Sequence, residues 1–122
     1  MNDAALEALF RTAEAEGRKA GNACIPTPML IREEIGPNPG RIYGPIMDGV
    51  CGFAWIVIKP GTCRAARMAK ELYRARTAYG GGMQIWVNDY GQSMTRKAAY
   101  AEAFARVLQG AGIKAYADSR MD

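Results

Sequence analysis

Hydrophobic side chains recur along this chain at two periods. Leu6, Leu9, Phe10 and Ala13 fall three and four residues apart, so residues 3 to 19 are expected to form an amphipathic helix. Asp3 reads as its N-cap, and Gly17 and Gly21 bracket its end. Two prolines in NACIPTPMLI (22–31) exclude a helix interior, leaving Met29, Leu30 and Ile31 as a short strand or a tucked arm. Residues 36 to 49, with Pro37, Pro39, Gly40, Gly44, Pro45 and Gly49, read as loop. The apolar run VCGFAWIVI (50–58) has the length and the β-branched and aromatic content of a strand buried on both faces.

KPGT (59–62) ends that strand. A helix is expected from Cys63 to Ala75, with Thr62 as N-cap and Ala65, Ala69, Leu72 and Tyr73 on one face. YGGG (79–82) is a connector, and residues 83 to 88 alternate as a strand does, Met83, Ile85 and Val87 against Gln84, Trp86 and Asn88. A long helix follows from Met94 to Gln109, and IKAYADS (113–119) alternates again. The order predicts an α+β or α/β single domain over residues 1–122: an N-terminal helix (1–21), a Pro/Gly-rich arm and loop (22–49), then a strand–helix–strand–helix–strand core (50–122) with its sheet covered by helices.

Composition narrows the function. At 122 residues with 49% hydrophobic and 23% charged, the chain has the makings of one packed core. No apolar run approaches the roughly 20 residues that cross a bilayer, and the N-terminus lacks a secretory pattern, so a cytoplasmic protein with no membrane partner is expected. A net charge of +4 suits an anionic small ligand and argues against a nucleic-acid-coating protein. Three cysteines with no C-x-x-C spacing form neither a disulfide framework nor a zinc site. Cys63, at a helix start, is the one thiol placed for an acidified role. There is no histidine, which removes the usual triad base, metal ligand and neutral-pH proton carrier. Binding without catalysis, metal or cofactor is therefore expected.

Both core helices begin directly after strands, at KPGTCRAAR (59–67) and NDYGQSMTRK (88–97). Helix starts favour anions, and Arg64, Arg96 and Lys97 stand where a cation is electrostatically disfavoured unless something anionic faces it. If the two strands run parallel, the junctions emerge on one edge of the sheet. Lys97 also lies within the apolar arc of its helix, either snorkelling or pointing into a pocket, whereas Arg96 lies on the polar side. On this reading Lys97 and Arg64 neutralise phosphate. Thr62, Asn88, Tyr90, Gly91, Gln92 and Ser93 hold and orient the ligand, and Trp86 or Tyr90 stacks on a base. Arg120, in the C-terminal DSRMD, and Thr27, in PTPM, complete the candidates, and Arg64, Arg67, Lys70 and Arg74 form a further basic stripe.

PTPM (26–29), DGVCGFAWI (48–56), AYGGG (78–82), YGQSM (90–94) with AYAEAFA (99–105), and GIKAYADSRMD (112–122) together span about half the chain. In them the sequence resembles small phage-encoded proteins of the Thoeris anti-defence sponge family. The resemblance implies a non-catalytic homo-oligomer, dimeric or larger, acting in the cytoplasm of an infected bacterial host. It also implies capture of cyclic ADP-ribose isomers made by bacterial TIR-domain proteins, or of the cyclic oligonucleotides of a related defence system. It assigns no binding residue by position. Two other classes stay open: a phage inhibitor module docking directly on a host protein, and a carboxylate-based phosphodiesterase using Asp48, Asp89 or Asp118.

Overall fold

The computed structural model describes residues 1–25, 29–32, 42–46 and 51–122, and for 29–32 and 42–46 the backbone alone. Thr27 and Asp48 lie outside the described residues. In chain order the elements are α1 (Asp3–Ala23), β1 (Met29–Arg32), β2 (Ile42–Ile46), β3 (Gly52–Ile58), α2 (Arg64–Tyr73), β4 (Arg76–Thr77), β5 (Met83–Trp86), α3 (Met94–Gly110) and β6 (Ala115–Met121). The fold is α+β. β1 and β2 form an antiparallel pair, and the other strands form one sheet in the order β4-β5-β3-β6. β2 falls in a stretch expected as loop. Gly44 and Pro45 read as breakers, but in a two-stranded ribbon every residue sits on an edge, where proline is tolerated.

The condition that β3 and β5 run parallel is not met. They pair antiparallel, with Trp55 opposite Trp86 and Ile58 opposite Met83. The reason is β4, a two-residue strand too short to leave a pattern in the sequence. After α2 the chain passes through β4, parallel to β3, then turns back through residues 78–82 so that β5 inserts between them. β5, α3 and β6 repeat the device around β3, giving two interleaved split β-α-β units.

Alternation divides β3 between two environments. Ala54, Ile56 and Ile58 join Met83, Ile85, Val87 and Ala115 under the helices, against Phe10, Ala69, Ala101, Phe104 and Leu108. Phe53 and Trp55 point to the opposite face, which no described helix covers. The outer edge of β6 is partly blocked: Gln109 Nε2 donates to Ala115 O at 2.7 Å, and Asp118 Oδ1 accepts from Ser119 N at 2.8 Å. Such contacts occupy groups that an edge strand otherwise offers to another chain.

α1 is capped by Asn2 rather than Asp3, the Asn2 side chain accepting from Ala5 N at 2.8 Å. It also runs past both glycines read as its end. Gly17 and Gly21 are buried inside the helix, because tyrosine rings lie against them. A Cβ at Gly21 would stand 2.4 Å from the Tyr90 hydroxyl. Gly21→Ala is therefore expected to lower stability by about 1–3 kcal/mol through overpacking. Gly110→Ala, where nothing lies within 4 Å, serves as the control. Thermal denaturation of the two variants reads the difference.

Candidate functional site: the open face of the sheet

Because β3 and β5 are antiparallel, the two strand-to-helix junctions lie at opposite ends of the sheet, and their fields do not combine. At the first junction Cys63, not Thr62, caps α2, its Sγ accepting from Ala66 N at 3.4 Å, while Thr62 is exposed. Arg64 reaches the start of α1, where Nη1 donates to Met1 O at 2.7 Å and Nη2 pairs with Asp3 Oδ1 at 2.5 Å. The cation in the first turn of α2 thus already faces an anion within the chain. The pair is exposed and worth about 0–1 kcal/mol.

The second junction is a structural corner. Tyr90 has φ 71° and Gly91 φ 55°, both left-handed. A non-glycine residue is held there at a cost, and Tyr90 is held by its ring on Gly21 and by its hydroxyl donating to Asn22 Oδ1 at 3.1 Å. Gln92 O accepts from Gly52 N at 3.0 Å, and Ser93 caps α3, its Oγ accepting from Arg96 N at 3.3 Å. Arg96 is half-buried with an Nε that makes no hydrogen bond. Tyr90, Gln92 and Ser93 therefore tie α1, β3 and α3 together.

Trp86, Asn88, Lys97 and Arg120 do come together, on the open face. The register there aligns rows across the strands: Trp86, Trp55 and Asp118 in one, Phe53 and Arg120 in the next, with Asn88 continuing the alternation of β5. The Trp55 and Trp86 rings are 4.8 Å apart at their centroids, and Phe53 meets Trp86 edge-on at 5.8 Å. Trp86 is 36% exposed. Phe53 and Trp55 are the residues that sequence reading missed. An unbroken apolar run reads as buried on both sides, and only the layer arrangement leaves one side without a described helix.

Two cations flank Phe53. Lys97 Nζ lies 5.5 Å from the ring centroid and Arg120 Cζ 5.7 Å. Lys97 reaches the face around the end of β3, where Gly52 lets α3 approach so closely that a Cβ would meet Met94 Sδ at 2.9 Å. Its ammonium donates to Gly52 O at 3.3 Å, and the residue is only 6% exposed. Neither cation forms an ion pair with a described residue, although Asp118 stands in the row next to Arg120. One carbonyl and an aromatic ring compensate poorly for burying an ammonium, which also stands in the unfavourable field of a helix start with no acid in its first turn. An anion on this face would supply what is missing.

Beside the face, around the end of β5, runs a cleft of about 340 Å³ lined by α1, α3, residues 72–74 at the end of α2 and residues 85–89. Burial pushes the Tyr100 hydroxyl up to about 12, and burial together with the Glu14 carboxylate raises Tyr73. Both hydroxyls stay protonated at neutral pH. Among the described residues no group of three His, Cys, Asp or Glu side chains is placed to hold a metal, and no helix is long and apolar enough to cross a membrane. Asp89 and Asp118 are both exposed.

These features define an α+β protein with helices on one side of an antiparallel sheet and an aromatic, cation-flanked surface on the other. Comparison with protein-family models, with curated proteins and with solved structures finds no match.

Proposed function

We propose that this protein binds a phosphate-bearing nucleotide on the open face of its sheet and holds it without cleaving it. The particular ligand is a cyclic nucleotide immune signal, a cyclic ADP-ribose isomer or a cyclic oligonucleotide, as the resemblance to the sponge family implies. The observation that carries the reading is the buried Lys97 ammonium against Phe53, with Arg120 on the same ring and no carboxylate paired to either among the described residues. Phosphate oxygens complement two such cations. The Trp55–Trp86 pair beside them presents a π surface on which a base stacks for about 1–3 kcal/mol. Function here rests on the site, since the split β-α-β layout hosts many activities.

The absence of histidine supports capture rather than turnover. The role belongs to the cytoplasm of an infected host, with homo-oligomers raising the number of sites per particle. Titration calorimetry with cyclic ADP-ribose isomers, cyclic di- and trinucleotides and linear mononucleotides tests it. Saturable heat with at least one, and recovery of the intact ligand after denaturation, is the expected outcome. No heat across the whole panel overturns the reading.

A further inference from the structure

We infer that the cleft at the end of β5 is a ribose-binding subsite, continuous with the open face and specific for the ribo over the deoxyribo form of the ligand. The inference rests on the nucleotide reading above and adds a second contact region to it. Trp86 and Asn88 belong to both surfaces, so a ligand whose phosphate meets Lys97 and Arg120 has its sugar beside the cleft.

The chemistry of the cleft selects a neutral group. Glu14 and Asp89 supply negative charge, Arg18 and Arg74 positive charge, so neither an anion nor a cation is favoured inside. Glu14 is already engaged, 2.9 Å from Arg11 and 3.9 Å from Arg18. Tyr73 donates its hydroxyl to Phe10 O at 3.4 Å.

Tyr100 is different. It is 8% exposed, and its hydroxyl makes no hydrogen bond with the described residues, yet it is not among the fully enclosed polar atoms without a partner. With its ring against Gly17 and its side chain lining the cleft, the phenol tip opens into that space. A phenol both donates and accepts, as do Asn88 and the two hydroxyls of a ribose, and a carboxylate accepts from a diol. The volume of about 340 Å³ lies at the lower end of small-molecule sites, sufficient for a sugar and not for a polymer.

The test compares adenosine 5′-monophosphate with its 2′-deoxy form by titration calorimetry, on the wild-type protein, Tyr100→Phe and Lys97→Met. The wild type is expected to bind the ribo form about tenfold tighter, the worth of one good hydrogen bond to a phenol in a partly enclosed site. Tyr100→Phe is expected to bring that ratio close to unity without moving the thermal midpoint, because the hydroxyl has no bond to lose among the described residues of the fold. Lys97→Met weakens both nucleotides alike. Equal wild-type affinity for the two forms, or a ratio unchanged in Tyr100→Phe, overturns the ribose subsite while the nucleotide reading stands. No binding of either form to the wild type overturns the subsite, and with an equally silent panel of cyclic nucleotides it overturns the reading too.

Discussion

Lys97→Met is expected to leave the thermal midpoint unchanged or higher while weakening nucleotide binding about 10- to 100-fold, the loss of one charge-assisted contact. The two effects separate because methionine fills much of the space of the lysine stem and removes the ammonium that lies 5.5 Å from the Phe53 ring centroid. In the folded protein that ammonium has one carbonyl at 3.3 Å and is 6% exposed. Replacing a buried, poorly compensated charge by an apolar side chain of similar length is commonly neutral or stabilising. Lys97→Glu replaces the cation by a carboxylate that repels phosphate and is expected to abolish binding outright. Melting by circular dichroism and calorimetry on the same preparation provide both readouts. A clearly lower midpoint with undiminished binding would make Lys97 a structural residue and remove the basis of the phosphate site.

The largest loss of stability is expected at Phe104. Its ring is 1% exposed and sits among Phe10 at 6.1 Å, Tyr73 at 5.9 Å and Tyr100 at 6.0 Å, the centre where α1, α2 and α3 meet. Phe104→Ala removes the ring and leaves a cavity bounded by stiff aromatic neighbours that have little freedom to collapse into it. The expected cost is about 3–5 kcal/mol. Against a total stability of about 5–15 kcal/mol, that is a large share, and a midpoint lower by more than about 10 °C follows. Urea unfolding measures it directly. Phe104→Leu refills part of the volume and is expected to recover at least half the loss. A Phe104→Ala protein within about 1 kcal/mol of wild type would mean that the three helices do not share one core.

The helices were legible because each carries an apolar stripe at the helical period, and the boundaries failed where tertiary contact overrode local preference. Gly17 and Gly21 read as stops, since glycine ends helices when nothing else is known. In the fold their missing side chains are what admits Tyr100 and Tyr90. Arg64 was legible as an anomaly, a cation at a helix start, but its anion proved to be Asp3, some sixty residues earlier in the chain and invisible to any local window. Lys97 was the better signal: a cation inside an apolar arc stays anomalous whatever the arc packs against, and it remains so in the fold.

By itself the sequence determined the three helices, the strand character of β3, β5 and β6, the lack of histidine chemistry and the oddity of Lys97, all properties carried by composition or by periodicity within some twenty residues. Only the tertiary structure decided strand direction, and with it which residues of the two junctions and the sheet lie near one another. A two-residue strand reverses β5 and separates the two junctions, and the packing of the described helices on Ala54, Ile56 and Ile58 leaves Phe53 and Trp55 of an apparently buried run on the other face, beside Trp86 and Arg120. Direction is a property of pairing between distant segments, and the alternation of side chains along a strand is the same whichever way the strand runs.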